Sequence, residues 1–230
     1  MRIAIDHILT VGFPLPRPRV ALALRVTPED SQGQTVASWR IGPDCDARLK
    51  TGRDGYGNIL TMLYADGPID RIEVHVSGEV FTGPSSGILD AGHPEPLPPA
   101  LFLRPVPLAS EASDHVARAM EASERANDDI DRLHLLNVAV HRHAPEVSAP
   151  SLATMFVTAA RRLTYPARCV SGYWANDSTS FPHHWAEAHV DEVGWVGFDP
   201  TTGFSAGEDH ARVASALDSA GVAWVTGGPI

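Results

Sequence analysis

Between Phe181 and Thr201 apolar and polar side chains alternate in two runs, broken by Asp191-Glu192-Val193-Gly194 and closed by Pro200. That pattern predicts an antiparallel hairpin. Pairing Val190 with Gly194 around a three-residue loop sets Ala186 opposite Phe198 and Ala188 opposite Val196, so small and large apolar groups share one face. His183, Trp185, Glu187 and His189 then share the other face with Trp195, Gly197 and Asp199. A slip of one residue would mix the two sets. In the favoured register Asp199 lies opposite Trp185 and is the diagonal neighbour of His183, close enough for a carboxylate to orient an imidazole.

Residues 2–8, 20–26, 36–41, 58–64 and 72–76 are rich in β-branched and apolar residues between Pro, Gly and Asp, and read as strands. Asp54-Gly55-Tyr56-Gly57-Asn58 is a turn cluster. This spacing predicts a small sandwich-like or barrel-like unit. Two Pro-rich segments, 92–99 and 104–107, cannot be helix interior and read as an extended connector. Beyond them the period becomes helical. Ser113 to Ala126 reads as a helix with Ser113 as N-cap. Ile130, Leu133, Leu136 and Val140 follow a helix start at Asn127-Asp128-Asp129. Leu152, Met155, Phe156, Ala159 and Leu163 form one face of a third helix, with Pro150 in its first turn and Arg161 and Arg162 at its negative end. The expected class is α+β: a β-rich N-terminal domain (1–100), a connector (101–112), and a core (113–230) whose central helix packs on an antiparallel sheet.

A chain of 230 residues buries roughly three quarters of its unfolded surface and has room for one large or two small domains. The net charge of −10, with 18 scattered Lys and Arg, excludes a phosphate-tracking surface, so no nucleic-acid partner is expected. Met1-Arg2-Ile3-Ala4-Ile5-Asp6-His7 alternates like a strand and lacks the apolar run of a signal peptide. No later run reaches membrane-spanning length. Cys45 and Cys169 lie far apart and suit a reducing compartment. A cytoplasmic, soluble protein without membrane contact is the expectation.

The run Pro166-Ala167-Arg168-Cys169-Val170-Ser171-Gly172-Tyr173, with His183-His184-Trp185-Ala186-Glu187 and Gly194-Trp195-Val196-Gly197-Phe198-Asp199-Pro200-Thr201, resembles the strands of the transglutaminase-like superfamily of papain-type thiol enzymes. The likeness is to the branch with a β-rich N-terminal domain, whose similar Asp, aromatic, Gly, Asn run is matched by residues 54–58. Asp209-His210-Ala211-Arg212-Val213 is similar to the family's ending. The resemblance implies that His183 and Asp199 take the catalytic His and Asp positions. It places the family's nucleophilic cysteine, which opens the central helix, on Ala149. The residues around it differ as well, with Ala149-Pro150-Ser151 and Thr154 where the family has "CQD" and a histidine. This reads as a natural loss, and an alanine methyl cannot attack a carbonyl.

Ser148, one position upstream, is an alternative nucleophile, but a hydroxyl gains far less from a helix dipole than a thiol does. It reads more simply as the helix N-cap. Cys169 lies inside a strand and reads as inert packing. Trp185, Trp195 and Tyr173 are the aromatic candidates for the walls of a ligand cleft, although such residues on a half-buried sheet also serve as core. Among the eleven histidines, His141 and His143 do not face one another on a helix, His183 and His184 point to opposite faces of a strand, and no zinc-type spacing occurs. Asp128, Asp129 and Asp131 lack the Gly and distal Glu of a calcium loop. Neither metal nor cofactor is expected. The functional expectation is an inactive transglutaminase-like protein that binds a peptide, an amide-bearing ligand or a partner protein. The alternatives are an amide hydrolase or acyl transferase using another nucleophile, and a structural subunit that self-associates or pairs with an active relative.

Overall fold

The computed structural model describes residues 1–84, 87–89, 96–106, 112–143, 146–176 and 179–230. No helix among them is long and apolar enough to cross a membrane. The N-terminal region forms an antiparallel sheet from β1 (Arg2–Leu24), β2 (Gln34–Pro43), β3 (Ala47–Arg53) and β4 (Ile59–Thr82). The strands are fewer and longer than the sequence pattern suggests. Segments 2–8 and 20–24 belong to one strand, and β4 takes in 59–64 and 72–76. Register shifts between Gly12 and Arg19, where Pro14, Pro16 and Pro18 withhold backbone donors, interrupt the β1–β4 ladder. β2 pairs with one half of β4 and β3 with the other. Val20, Leu22, Leu24 and Leu63 from one half pack with Ile72, Val74 and Val76 from the other. One sheet folded on itself thus buries a core as a sandwich does. The turn at 54–58 forms because the Asp54 carboxylate accepts from the Tyr56 and Asn58 backbone N–H groups at 2.9 and 3.1 Å.

A 3-10 turn, Pro99–Leu103, with Pro at its start, stands between the two Pro-rich segments, and Pro98 and Arg104 on either side of it are extended. The remainder of the connector lies partly outside the described residues. α1 (Ala112–Ser123) begins before Ser113, so Ser113 sits within the first turn and is not the N-cap. α2 (Asp129–His143) starts where the three polar residues predict. Asp128 accepts from the Asp131 N–H at 2.8 Å and Asp131 accepts from the Asn127 N–H at 2.9 Å, a reciprocal arrangement like a capping box.

α3 (Ala149–Arg162) is the central helix. It lies on a second antiparallel sheet made of β5 (Ala167–Asn176), β6 (Thr179–Val190), β7 (Gly194–Asp199), β8 (Phe204–Ser205) and β9 (His210–Ala216), in the order β8-β7-β6-β5-β9. Leu152, Met155, Phe156 and Ala159 are buried with Ala167, Cys169, Ala186 and Ala188 of the sheet. The small strand residues let the helix approach closely, and each fully buried Leu, Met or Phe contributes about 1.5–3 kcal/mol. Arg161 serves its own helix end less than the surrounding chain. Its guanidinium donates to the carbonyls of Ala167 at 3.0 Å, Arg104 at 2.9 Å and Leu217 at 2.5 Å.

The last strand, β10 (Val225–Pro229), pairs antiparallel with β1. Residues counted with the core on sequence grounds therefore hydrogen-bond to the first sheet.

Candidate functional site

The β6–β7 register is the one the alternation predicts, with Val190 against Gly194, Ala188 against Val196 and Ala186 against Phe198. Gly194 has φ +94° at the end of the loop, a value that favours glycine. The apolar face meets α3, and the Phe198 and Phe156 rings stack at 5.1 Å. On the other face His183 Nε2 lies 2.9 Å from Asp199 Oδ2, with the carboxylate fully buried. The second oxygen, Oδ1, accepts from the Thr201 backbone N–H at 2.8 Å. Asn137 of α2 donates to the Phe204 carbonyl at 3.0 Å and, more weakly, to that of Asp199 at 3.4 Å, which ties the turn after β7 to the helix layer. Trp185 follows His183 on the same face and stacks toward it with ring centroids 6.3 Å apart. Gly172 of β5 makes room for it: a Cβ there would stand 2.5 Å from the indole and 2.2 Å from the Ala211 carbonyl oxygen.

A third group joins the pair. His210 of β9 places Nε2 3.3 Å from the same Asp199 Oδ2, while its Nδ1 lies 2.7 Å from Asp209 Oδ1. Burial alone would raise the pKa of Asp199, but hydrogen bonds from His183 and His210 outweigh it and hold the carboxyl well below its usual range. Burial works against a charge on His210, yet hydrogen bonds and charges from Asp199 and Asp209 prevail and raise it. His184, on the opposite face, is lowered to about 4 by burial and by the neighbouring His183. The ligand atoms of His183, Asp199 and His210 all lie within 4.8 Å of one another, and among the described residues this is the group that could hold a metal.

Beside them sits a buried charge cluster. Glu187 accepts from Arg168 Nε at 2.5 Å and from Arg212 Nε at 2.8 Å, and the Arg168 guanidinium lies 3.9 Å over the Trp195 ring. Burial opposes the charge on Glu187, but the two arginines lower its pKa to about 2. Trp185, Trp195, Glu187, His210 and Arg212 line a cleft of about 970 Å³, to which Gln34 and Arg53 of the first sheet and Tyr56 of the 54–58 turn also contribute.

The sequence-derived candidates separate into two groups. His183, Asp199, Trp185 and Trp195 come together on one face. Tyr173 does not join them: it is 1% exposed, packs with Ile3, Ile5 and Val80 of the first sheet, and its hydroxyl lies 3.2 Å from His7 Nδ1. Tyr173 fills the junction of the two sheets and is absent from the cleft wall. Ala149 opens α3, half-buried, with only a methyl group. Ser148 is exposed at the helix tip, makes no side-chain cap bond, and has Ser151 Oγ at 3.0 Å as its hydroxyl partner. Among the described residues no hydrogen bond joins Ser148 to His183. Cys169 lies across from Ala186 on the α3 face, opposite to His183, and burial pushes its thiol up to about 12. The His143 side chain lies outside the described part of the structure.

Sequence reading missed His210, Arg168 and Arg212. Arg168 stands directly across from Glu187 in the β5–β6 ladder, a pairing of opposite charges that drawing that register would reveal. His210 and Arg212 carried a weaker signal, two polar residues alternating along a short strand.

Comparison with known proteins agrees with this architecture. Residues 3–81 match the bacterial transglutaminase-like N-terminal region and residues 109–200 match the transglutaminase-like superfamily. No curated protein matches the chain. A crystal structure from Cytophaga hutchinsonii, described as a candidate cysteine protease, superposes with a TM-score of 0.74 at 14% identity, covering 100% of this chain and 86% of that one. At that identity the likeness establishes the fold, which is that of the papain-like cysteine proteases. Two family matches in tandem, each on its own sheet, and a His–Asp pair on the expected strands lead to one assignment: the chain belongs to the transglutaminase-like superfamily.

Proposed function

We propose that this protein is a transglutaminase-like pseudoenzyme that binds a peptide or another amide-bearing ligand in the cleft between its two sheets. The reading rests on one observation: His183 and Asp199 keep a hydrogen-bonded pair, while the residue opening α3 is Ala149. A papain-type mechanism needs a thiolate at that helix start, where the dipole and the imidazole stabilise it. The two other candidate nucleophiles are engaged elsewhere, Ser148 with Ser151 and Cys169 in the α3 interface. What remains is a cavity of ligand size with aromatic walls and a few fixed polar groups, the usual make-up of a binding site.

The test has two arms. The protein is treated with a fluorophosphonate and with a chloromethyl ketone and its intact mass is measured; no adduct is expected, and an adduct at Ser148 or Cys169 would establish an active hydrolase or acyl transferase instead. In parallel, a glutamine-containing peptide library is screened by thermal shift against the parent protein and Trp185→Ala. A hit that the variant loses supports the binding reading, and a library without hits counts against it.

A further inference from the structure

We infer, taking the cleft as the ligand site proposed above, that its ligand carries a carboxylate, which Arg212 holds end-on. Arg212 of β9 is fixed in both its backbone and its side chain. The backbone N–H donates to Gln34 Oε1 at 2.8 Å, and the carbonyl accepts from Gln34 Nε2 at 2.9 Å. The side chain donates through Nε and Nη2 to the two oxygens of Glu187, at 2.8 and 3.3 Å. Glu187 is itself buried, with 1% of its side chain exposed, whereas Arg212 keeps 29% and lines the cleft.

A guanidinium carries its N–H donors in a rigid planar fork. Glu187 takes the edge made of Nε and Nη2, which leaves one N–H on Nη1 and one on Nη2 as a parallel pair directed away from it. Among the described residues Nη1 has no hydrogen-bond partner. Two parallel N–H groups match the two oxygens of a carboxylate. Because Gln34 and Glu187 already hold the residue in place, a ligand engages the fork without the entropy cost of ordering a free arginine. A neutral amide offers this fork one oxygen and no charge. A phosphate carries more than one negative charge and would face Glu29 and Asp30, which also line the cleft. Those two acids are engaged with the protein itself, Glu29 with Arg53 at 2.8 Å and Asp30 with the Val36 N–H at 2.6 Å. A single carboxylate is the anion that suits one guanidinium in these surroundings. Beside the fork stands an apolar wall. Gly172 lies across from Arg212 in the β5–β9 ladder, and the Trp185 indole fills the space that a side chain at Gly172 would need. The carboxylate therefore belongs to a molecule with an apolar group next to it, whether the acid is the terminus of a peptide or an acidic side chain within one.

The experiment titrates the isotopically labelled full chain with N-benzoylglycine and with N-benzoylglycinamide, which differ only in acid against amide, and follows the indole N–H signals by NMR. The acid is expected to bind about 10–100-fold more tightly, the range by which a charge-assisted pair exceeds a neutral one. Arg212→Lys keeps the charge and loses the fork, and is expected to bind the acid about 10-fold more weakly. Arg212→Gln is expected to bind acid and amide alike, while the surface variant Arg48→Gln behaves as the parent does. The comparison in the parent protein decides even where an Arg212 variant does not fold. Equal affinities for acid and amide, or binding of neither, overturn the assignment. Glutamine peptides that bind while the two benzoyl probes do not differ leave the peptide reading standing and remove the carboxylate; benzoylglycine binding without any peptide hit does the reverse. An acetylated apolar tripeptide with a free C-terminus is then set against its C-terminal amide carrying one internal glutamate, and the tighter of the two identifies the source of the carboxylate.

Discussion

Glu187 shows how much one residue of this site depends on its neighbours. It is 1% exposed, and its two oxygens serve Arg168 and Arg212. Removing the charge in Glu187→Gln breaks the buried ion pairs that Glu187 makes with Arg168 and Arg212, which costs roughly 3–5 kcal/mol. Urea unfolding at neutral pH measures this as a lower midpoint with an unchanged slope. The pH dependence has a definite sign. The folded pKa of about 2 lies below the unfolded value of about 4.3. Between them the unfolded chain binds more protons, so this residue's contribution is complete above about pH 4.3 and is lost as the pH falls toward 2. Thermal melts from pH 6 to pH 2 are expected to drop steeply in the parent protein and less steeply over that interval in Glu187→Gln. Equal slopes would show that Glu187 does not carry the acid response.

At the scale of the element, α3 is a thiol-enzyme helix without its thiol. Its first turn has no acidic residue to offset the positive end of the dipole, and Ala149 is half-buried and within reach of reagents. Ala149→Cys is therefore expected to give a cysteine with a pKa in the range of about 3.5–7.5 instead of about 8.5. The pH dependence of iodoacetamide labelling measures it. Adding His183→Gln to that variant is expected to move the value part of the way back, which separates the imidazole from the dipole. A new thiol that titrates at the ordinary value would show that the helix start no longer holds a nucleophile position. Cys169, raised to about 12, is expected to stay unlabelled in the folded protein and so does not obscure the measurement.

At the scale of the whole molecule, the two sheets are joined by side-chain amides acting as backbone. β9 is an edge strand of the second sheet, and open edges invite mispairing. Here Asn58 exchanges two 2.8 Å hydrogen bonds with the Ser215 backbone, and Gln34 does the same with Arg212 at 2.9 and 2.8 Å. Each amide imitates one rung of a neighbouring strand, and together they fix the cleft wall that carries Arg212 and His210. Asn58→Ala orphans a buried N–H and a buried C=O and is expected to destabilise the protein by roughly 2–4 kcal/mol. Chemical denaturation tests this, and a loss below about 0.5 kcal/mol, the range of ordinary surface substitutions, would contradict it.

The hairpin, its register, the central helix and the His183–Asp199 pair were determined by the sequence alone. They rest on alternation, helical spacing and a turn, all of which act between residues close along the chain. The substitution at Ala149 is likewise plain in one dimension. The N-cap at Ser113 and the cleft position of Tyr173 were misread, because composition suggests which conformations are open to a segment and not which surface will cover it. Only the tertiary structure decided that β9 lies beside β5, that His210 reaches Asp199, and that Arg212 completes the charge cluster. It also decided that β10 returns to the first sheet. These pairings close long loops through contacts of high sequence separation, whose partners are chosen by the packing of whole sheets rather than by any local pattern.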